Sequence, residues 1–216
     1  MNRDQIIRFK KDPIIEAVLE IRFISDVPPD AIFGIIYSKV KDRYASPERL
    51  IAYEFPEVIR NTDENLKYQP HFRLKSLQNT FKIQVGPQMI SIISSKPYLG
   101  WILFTKEINY IIEAIKKEQI IKDIVRIGLR YINFFDNKIH SLAKTDSFNL
   151  DVTLGDNRDI NSLSIRTSIS NGIVDHVLNF HTHVKIKHQK SILEGIVIDI
   201  DTVLNNMSNV SIDNIS

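Results

Sequence analysis

A chain of 216 residues, 43% hydrophobic and 25% charged, is long enough to bury a sizeable core as one large domain or two small intimate ones, and its composition excludes a disordered tail or a fibre. Twenty-eight Lys and Arg against 26 Asp and Glu leave a net charge of +2, which demands no polyanionic partner. Cys is absent, so a disulfide framework, a thiolate nucleophile and Cys-ligated zinc or iron–sulfur centres are excluded.

The first element is IIEAVLEIRFI at 14–24, where Ile15, Ala17, Leu19, Ile21 and Phe23 alternate with Glu16, Glu20 and Arg22. That period of two predicts a half-buried strand. Pro28, Pro29 and Asp30 punctuate the chain before AIFGIIYSKVKDRY, whose Ile32, Ile35, Ile36 and Val40 predict a helix over 30–43. Residues 44–65 carry neither period and read as a connection with a short helical turn. Strands are expected at 67–76, 79–86 and 88–95, the last two forming an antiparallel hairpin about Gly86 and Pro87. Ile102, Leu103, Ile108, Ile111, Ile112 and Ile115 then mark one side of a helix over 101–117.

The second half opens on DIVRIGLRYINFF, a long strand at 123–135. Further strands are expected at 147–154, 161–169, 173–186 and 191–201, and the Asn- and Ser-rich end should fray or form a weak helix. LEIRF at 19–23 matches IGLRY at 127–131, each an apolar strand with Arg followed by a ring, at an offset of 130 − 22 = 108. The same offset sends Phe72 to Phe180 and MISIIS at 89–94 to VIDIDT at 197–202, which predicts an internal duplication whose second copy lacks its closing helix. The expected organisation is an α+β protein built on antiparallel sheet in two pseudo-equivalent halves, residues 1–120 and a mostly β 121–216, with both helices on one face. No apolar run approaches the ~18 residues of a membrane span, and MNRDQIIRFKKDP, without an apolar core and a small-residue cleavage site, does not read as a secretory leader. The chain therefore reads as cytoplasmic, without a membrane partner.

The blocks DPIIEAVLEIRF, YLGWILF at 98–104, VRIGLRYINFF at 125–135 and IDID at 198–201 together resemble a sporadically distributed, uncharacterised prokaryotic protein family. The resemblance spans Pro13 to about Asp201 and implies no activity, cofactor or catalytic residue. Members of that family look longer, with a further C-terminal helix, and their patchy occurrence suits accessory genes such as defence or toxin–antitoxin modules.

Candidate chemistry is sparse. Arg22 and Arg130 each interrupt an apolar strand, and a guanidinium there must meet a carboxylate, backbone carbonyls or an anionic ligand. Glu20 and Glu16 share a strand face with Arg22, so ion pairing is the favoured account, and Arg22, Arg130 and Tyr131 are the candidate binding residues on the strands. Trp101, beside Tyr98 and Gly100 at the start of the second helix, is the fourth candidate, with stapling of helix to sheet as its ordinary role. His181 and His183, with Asp199 and Asp201, offer an alternative metal- or anion-binding face for an enzyme. The basic stretch HVKIKHQK at 183–190 offers an alternative nucleic-acid contact, which the balanced total charge argues against. No phosphate loop, nucleophile elbow or HExxH string is present, so no catalytic residue, metal or cofactor is assigned. The leading expectation is a non-enzymatic protein-interaction module that pairs with another polypeptide or with itself through an uncovered sheet edge.

Overall fold

The structure, a computed structural model, describes residues 9, 11–140, 150, 152–153, 155, 162–188 and 191–205. The expected strand at 147–154, the weak C-terminal helix and the tip of the basic hairpin fall outside the described residues, wholly or in most of their length.

One antiparallel sheet organises the chain. Its strands are β1 (Ile14–Ile24), β2 (Glu48–Arg49), β3 (Phe72–Lys75), β4 (Phe81–Gly86), β5 (Met89–Ser95), β6 (Asp123–Asp136), β7 (Ser164–Asn171), β8 (Val174–His188) and β9 (Ser191–Asn205). Their spatial order is β2-β3-β4-β5-β1-β6-β9-β8-β7. The alternation in β1 is what makes it central: Ala17, Leu19, Ile21 and Phe23 bury one face, and both edges carry ladders, to β5 and to β6. The Arg-plus-ring strands β1 and β6 lie side by side, and each is rejoined by a meander returning to its outer edge.

The constant offset is not kept across that arrangement. Arg22 pairs with Met89 and Arg130 with Asp201, so the outer ladders coincide only with a four-residue slip, 201 − 89 = 112 against 130 − 22 = 108. Phe72 lies on β3, next to the short end strand β2, whereas Phe180 lies on β8, next to the end strand β7, and Phe72 and Phe180 both face the helix side of their ladders.

Two helices cover one face of the first half. Helix α1 (Pro29–Val40) starts at a proline, whose missing N–H costs nothing in a first turn, and buries Ile32, Ile36 and Val40. Four short helices also occur among the described residues: α2 (Ile51–Glu54), α3 (Glu57–Thr62) and α4 (Glu64–Lys67) fill the connection, with α6 (Asn137–His140) after β6. Between them α5 (Trp101–Lys116) buries Phe104, Glu107, Ile108, Ile111, Ile112 and Ile115. Its buried stripe starts two residues later than the spacing suggests: Ile102 and Leu103 are exposed, and Phe104 is the first buried residue. No helix among the described residues is long and apolar enough to cross a membrane.

The main core gathers these helix faces with β1, β3, β4, β5 and β6, and none of its members lies on β7, β8 or β9. A second, smaller cluster forms there from Phe135, Phe180 and Ile196, with Leu163, Ile165 and Ile198 against it. The β7–β8 hairpin closes through Gly172 and Ile173, with Gly172 at φ 65, the left-handed geometry that a two-residue hairpin turn requires.

Candidate functional site

Register assigns side chains to the two faces of the sheet. Opposite the helices, Glu20, Arg22, Arg126, Arg130, Asp199 and Asp201 lie on one face of the neighbouring strands β1, β6 and β9. Arg22 donates from Nε to Glu20 Oε1 at 2.7 Å and lies 4.9 Å over the Tyr68 ring. Arg130 grips Asp199 with two parallel bonds of 2.7 Å, and Asn179 donates to the same carboxylate at 3.1 Å. Ion pairing, the ordinary account of both arginines, is therefore what the geometry contains.

The centre of this face is a residue that the sequence reading passed over. Arg126 donates to Glu20 Oε1 at 2.5 Å and to Asp201 Oδ2 at 3.0 Å, so one guanidinium ties β1, β6 and β9 together while staying only 18% exposed. Gly128 makes room for it: a Cβ there would stand 2.9 Å from an Arg126 terminal nitrogen. The signal is present in the sequence, since Arg126 and Arg130 both oppose the apolar residues of β6, but the repeat with Arg22 marks only Arg130.

The remaining candidates separate. Tyr131 faces the helix side, where its hydroxyl bonds to that of Tyr98 and the rings meet edge to face at 6.1 Å. Burial, and then Tyr98, push its phenol well above the usual range. Trp101, in the first turn of α5, is 50% exposed and touches Phe104 edge-on at 6.2 Å. Arg22 and Arg130 thus share a face, while Tyr131 and Trp101 belong to other surroundings.

The metal-binding alternative fares differently from its sequence spacing. A register shift between His181 and Val184 interrupts the alternation, and His183 within it takes φ 55 and turns to Glu194 at 3.2 Å. His181 bonds with Ser164 at 2.9 Å, and Asp199 and Asp201 are held by Arg130 and Arg126. Among the described residues no three His, Asp or Glu side chains gather as ligands. Lys185 and Lys187 stand exposed on β8, while Gln189 and Lys190 are outside the described residues.

A cleft of about 270 Å³ opens where α1, α2 and α3 meet the end of β3 and β4, lined by Asp30, Phe33, Tyr53, Arg60, His71 and Phe72 among others. Phe33 stacks on Phe72 at 3.9 Å. Arg60 lies 3.1 Å from His71 Nδ1; since guanidinium only donates, Nδ1 accepts and the proton sits on Nε2, which meets no partner among the described residues. Burial, then the Arg60 charge, lowers the His71 pKa to about 4, with Asp30 opposing. No local pattern around QPHFR marks this histidine, because everything that shapes it comes from other elements.

That shift carries a sign. The folded state prefers neutral His71, so its contribution is complete above the ordinary pKa of 6.5 and is lost as pH falls toward 4. The loss should approach about 3 kcal/mol, at about 1.4 kcal/mol per pKa unit. Urea midpoints measured from pH 7.5 to pH 4.5 should fall more steeply for the native chain than for His71→Gln, and parallel profiles would refute the assignment.

The other open feature is β7. It ends the sheet, its sequence SIRTSISN holds one charge and no proline, and most of it is exposed, Ile169 at 62%. At the opposite end the sheet finishes in β2, only two residues long, which is the usual protection of an edge. Among the described residues no strand pairs with the outer side of β7. Compared with known proteins, the chain matches no family model and no curated protein. The functional reading therefore rests on geometry alone.

Proposed function

We propose that this chain is a non-enzymatic protein-interaction module that recognises an extended polypeptide by adding it to the sheet at β7. The observation that carries the reading is the contrast between the two ends: β2 is blunted, whereas β7 offers eight residues of regular strand with a single charge. A row of outward N–H and C=O groups on such a strand supplies main-chain affinity, and alternate side chains supply selectivity. Ile165 and Ile169 lie on the helix side of the sheet, at the end that the main helical core does not reach, so an added strand has apolar surface to cover. The arginines and acids of the opposite face satisfy one another, which favours a scaffold over a catalyst there. We read the two halves as a repeated unit, a long central strand rejoined by its own meander, of which the second has the less covered face; the strand order supports this and the slipped ladder qualifies it.

Amide hydrogen exchange on dilute protein tests the edge. Alternate amides of β7 point away from β8 and should exchange orders of magnitude faster than those of β8 and β9. Protection of every β7 amide at the level of β8 would show a capped edge and refute the reading.

A further inference from the structure

We infer that the polypeptide seated on β7 is the β7 strand of a second copy of this chain, paired antiparallel about a two-fold axis at Thr167. The inference rests on the interaction reading above and names its partner. Pairing with β8 places Ile165, Thr167 and Ile169 on one face of β7, and Arg166, Ser168 and Ser170 on the other. In a two-fold strand pair perpendicular to the sheet, residues directly opposite must share a face, so the axis has to fall on a residue and not between two. That condition leaves few registers, and they differ in what they oppose.

An axis on Arg166 sets two guanidinium groups against each other. An axis on Ser168 opposes Ile169 to Thr167 and leaves Ile165 against Asn171, so neither isoleucine meets its like. Centring on Thr167 opposes Ile165 to Ile169 twice, Thr167 to itself, Arg166 to Ser168 and Ser164 to Ser170, using residues 164–170 without a like-charge contact. Cross-strand pairs of β-branched residues and of threonines are those that sheets favour. Arg166 is already drawn back toward Asn179 on its own β8, at 3.1 Å, which keeps it from the axis. The same face would continue across the joint through Ile169, exposed in the single chain, with Ile165 bringing the small cluster of Phe135, Phe180 and Ile196 to the boundary. An interface of one strand edge is small, so association is expected in the micromolar range, about 1–100 µM.

Because the chain has no Cys, one introduced thiol reads the register directly. Thr167→Cys places two thiols opposite each other, at the roughly 4.5–5.5 Å Cα separation of facing residues, within disulfide reach. Ser168→Cys places each thiol one position off the axis on opposite sides, so the two Cα atoms stand about 8 Å apart and beyond disulfide reach. Under mild oxidation at about 100 µM, Thr167→Cys should become mostly covalent dimer and Ser168→Cys should not. A second pair of variants guards against misfolding: Thr167→Lys and Thr167→Glu should each sediment as monomer, and their mixture should restore the dimer. Equal cross-linking of both cysteine variants, or a monomer at every concentration, would overturn the inference. In the monomer case the exchange of β7 separates the two ideas: fast alternate amides leave the edge open for another polypeptide, whereas full protection defeats the interaction reading too.

Discussion

Arg126→Ala should lower the unfolding free energy by about 3 kcal/mol, toward the low end of what loss of one partner costs a buried ion pair. The guanidinium is the only described link between Glu20 on β1 and Asp201 on β9, and its removal leaves two carboxylates facing each other across the space it filled. At this chain length such a loss corresponds to a melting temperature lower by about 6–12 °C. Arg22→Ala provides the comparison, since Arg22 has one described ion-pair partner, Glu20, and an exposed stacking contact with Tyr68, and should cost about 1 kcal/mol. Gly128→Ala should cost about 1–2 kcal/mol, because the new methyl displaces the Arg126 guanidinium, and that penalty should disappear when Arg126 is already alanine. Urea unfolding of the three variants and the double mutant measures all of this. Equal losses for Arg22→Ala and Arg126→Ala would show that no strut exists.

Glu107→Ala should be as damaging, at about 3–4 kcal/mol, for a different reason. Glu107 is 4% exposed on the buried stripe of α5, where it accepts from Arg43 at 2.5 Å and from the Tyr44 hydroxyl at 2.7 Å. Burial, and then this hydrogen bond, push the Tyr44 phenol far above its ordinary pKa, so the hydroxyl stays a donor throughout the working pH range. Truncation strands that donor inside the core beside an unfilled volume. Glu107→Gln keeps an acceptor for Tyr44 and should cost about half as much. If Gln and Ala variants unfold at the same denaturant concentration, the hydrogen bond to Tyr44 contributes nothing beyond packing.

Glu107 also shows where sequence reading stops short. The apolar spacing of α5 identifies the helix correctly but does not single out Glu107, because its partners at Arg43 and Tyr44 lie more than 60 positions earlier in the chain. Alternation on β6 marks Arg126 as a polar residue, but its partners are equally remote in sequence. Its acids are on strands that no local period connects to it, and the fact that one glycine opens the space is visible only when the strands are paired. His71 gives nothing away in sequence, since neighbouring elements supply both its burial and its Arg60 contact. Arg22 was legible, because Glu20 is two residues away on the same strand face.

By itself the sequence determined the elements: the strand at 14–24, the long helix, the β4–β5 hairpin and the α+β class follow from periodicity and turn residues, which act over a few positions. The absence of Cys chemistry and the balanced charge were equally fixed by composition. Only the tertiary structure decided which side chains meet, that β1 and β6 run side by side, that His181 and His183 part at a bulge, and that β7 rather than β2 is the long edge. Strand order and register are set by the sum of many distant contacts, and a slip of one residue exchanges the two faces of a strand, so no local pattern encodes them.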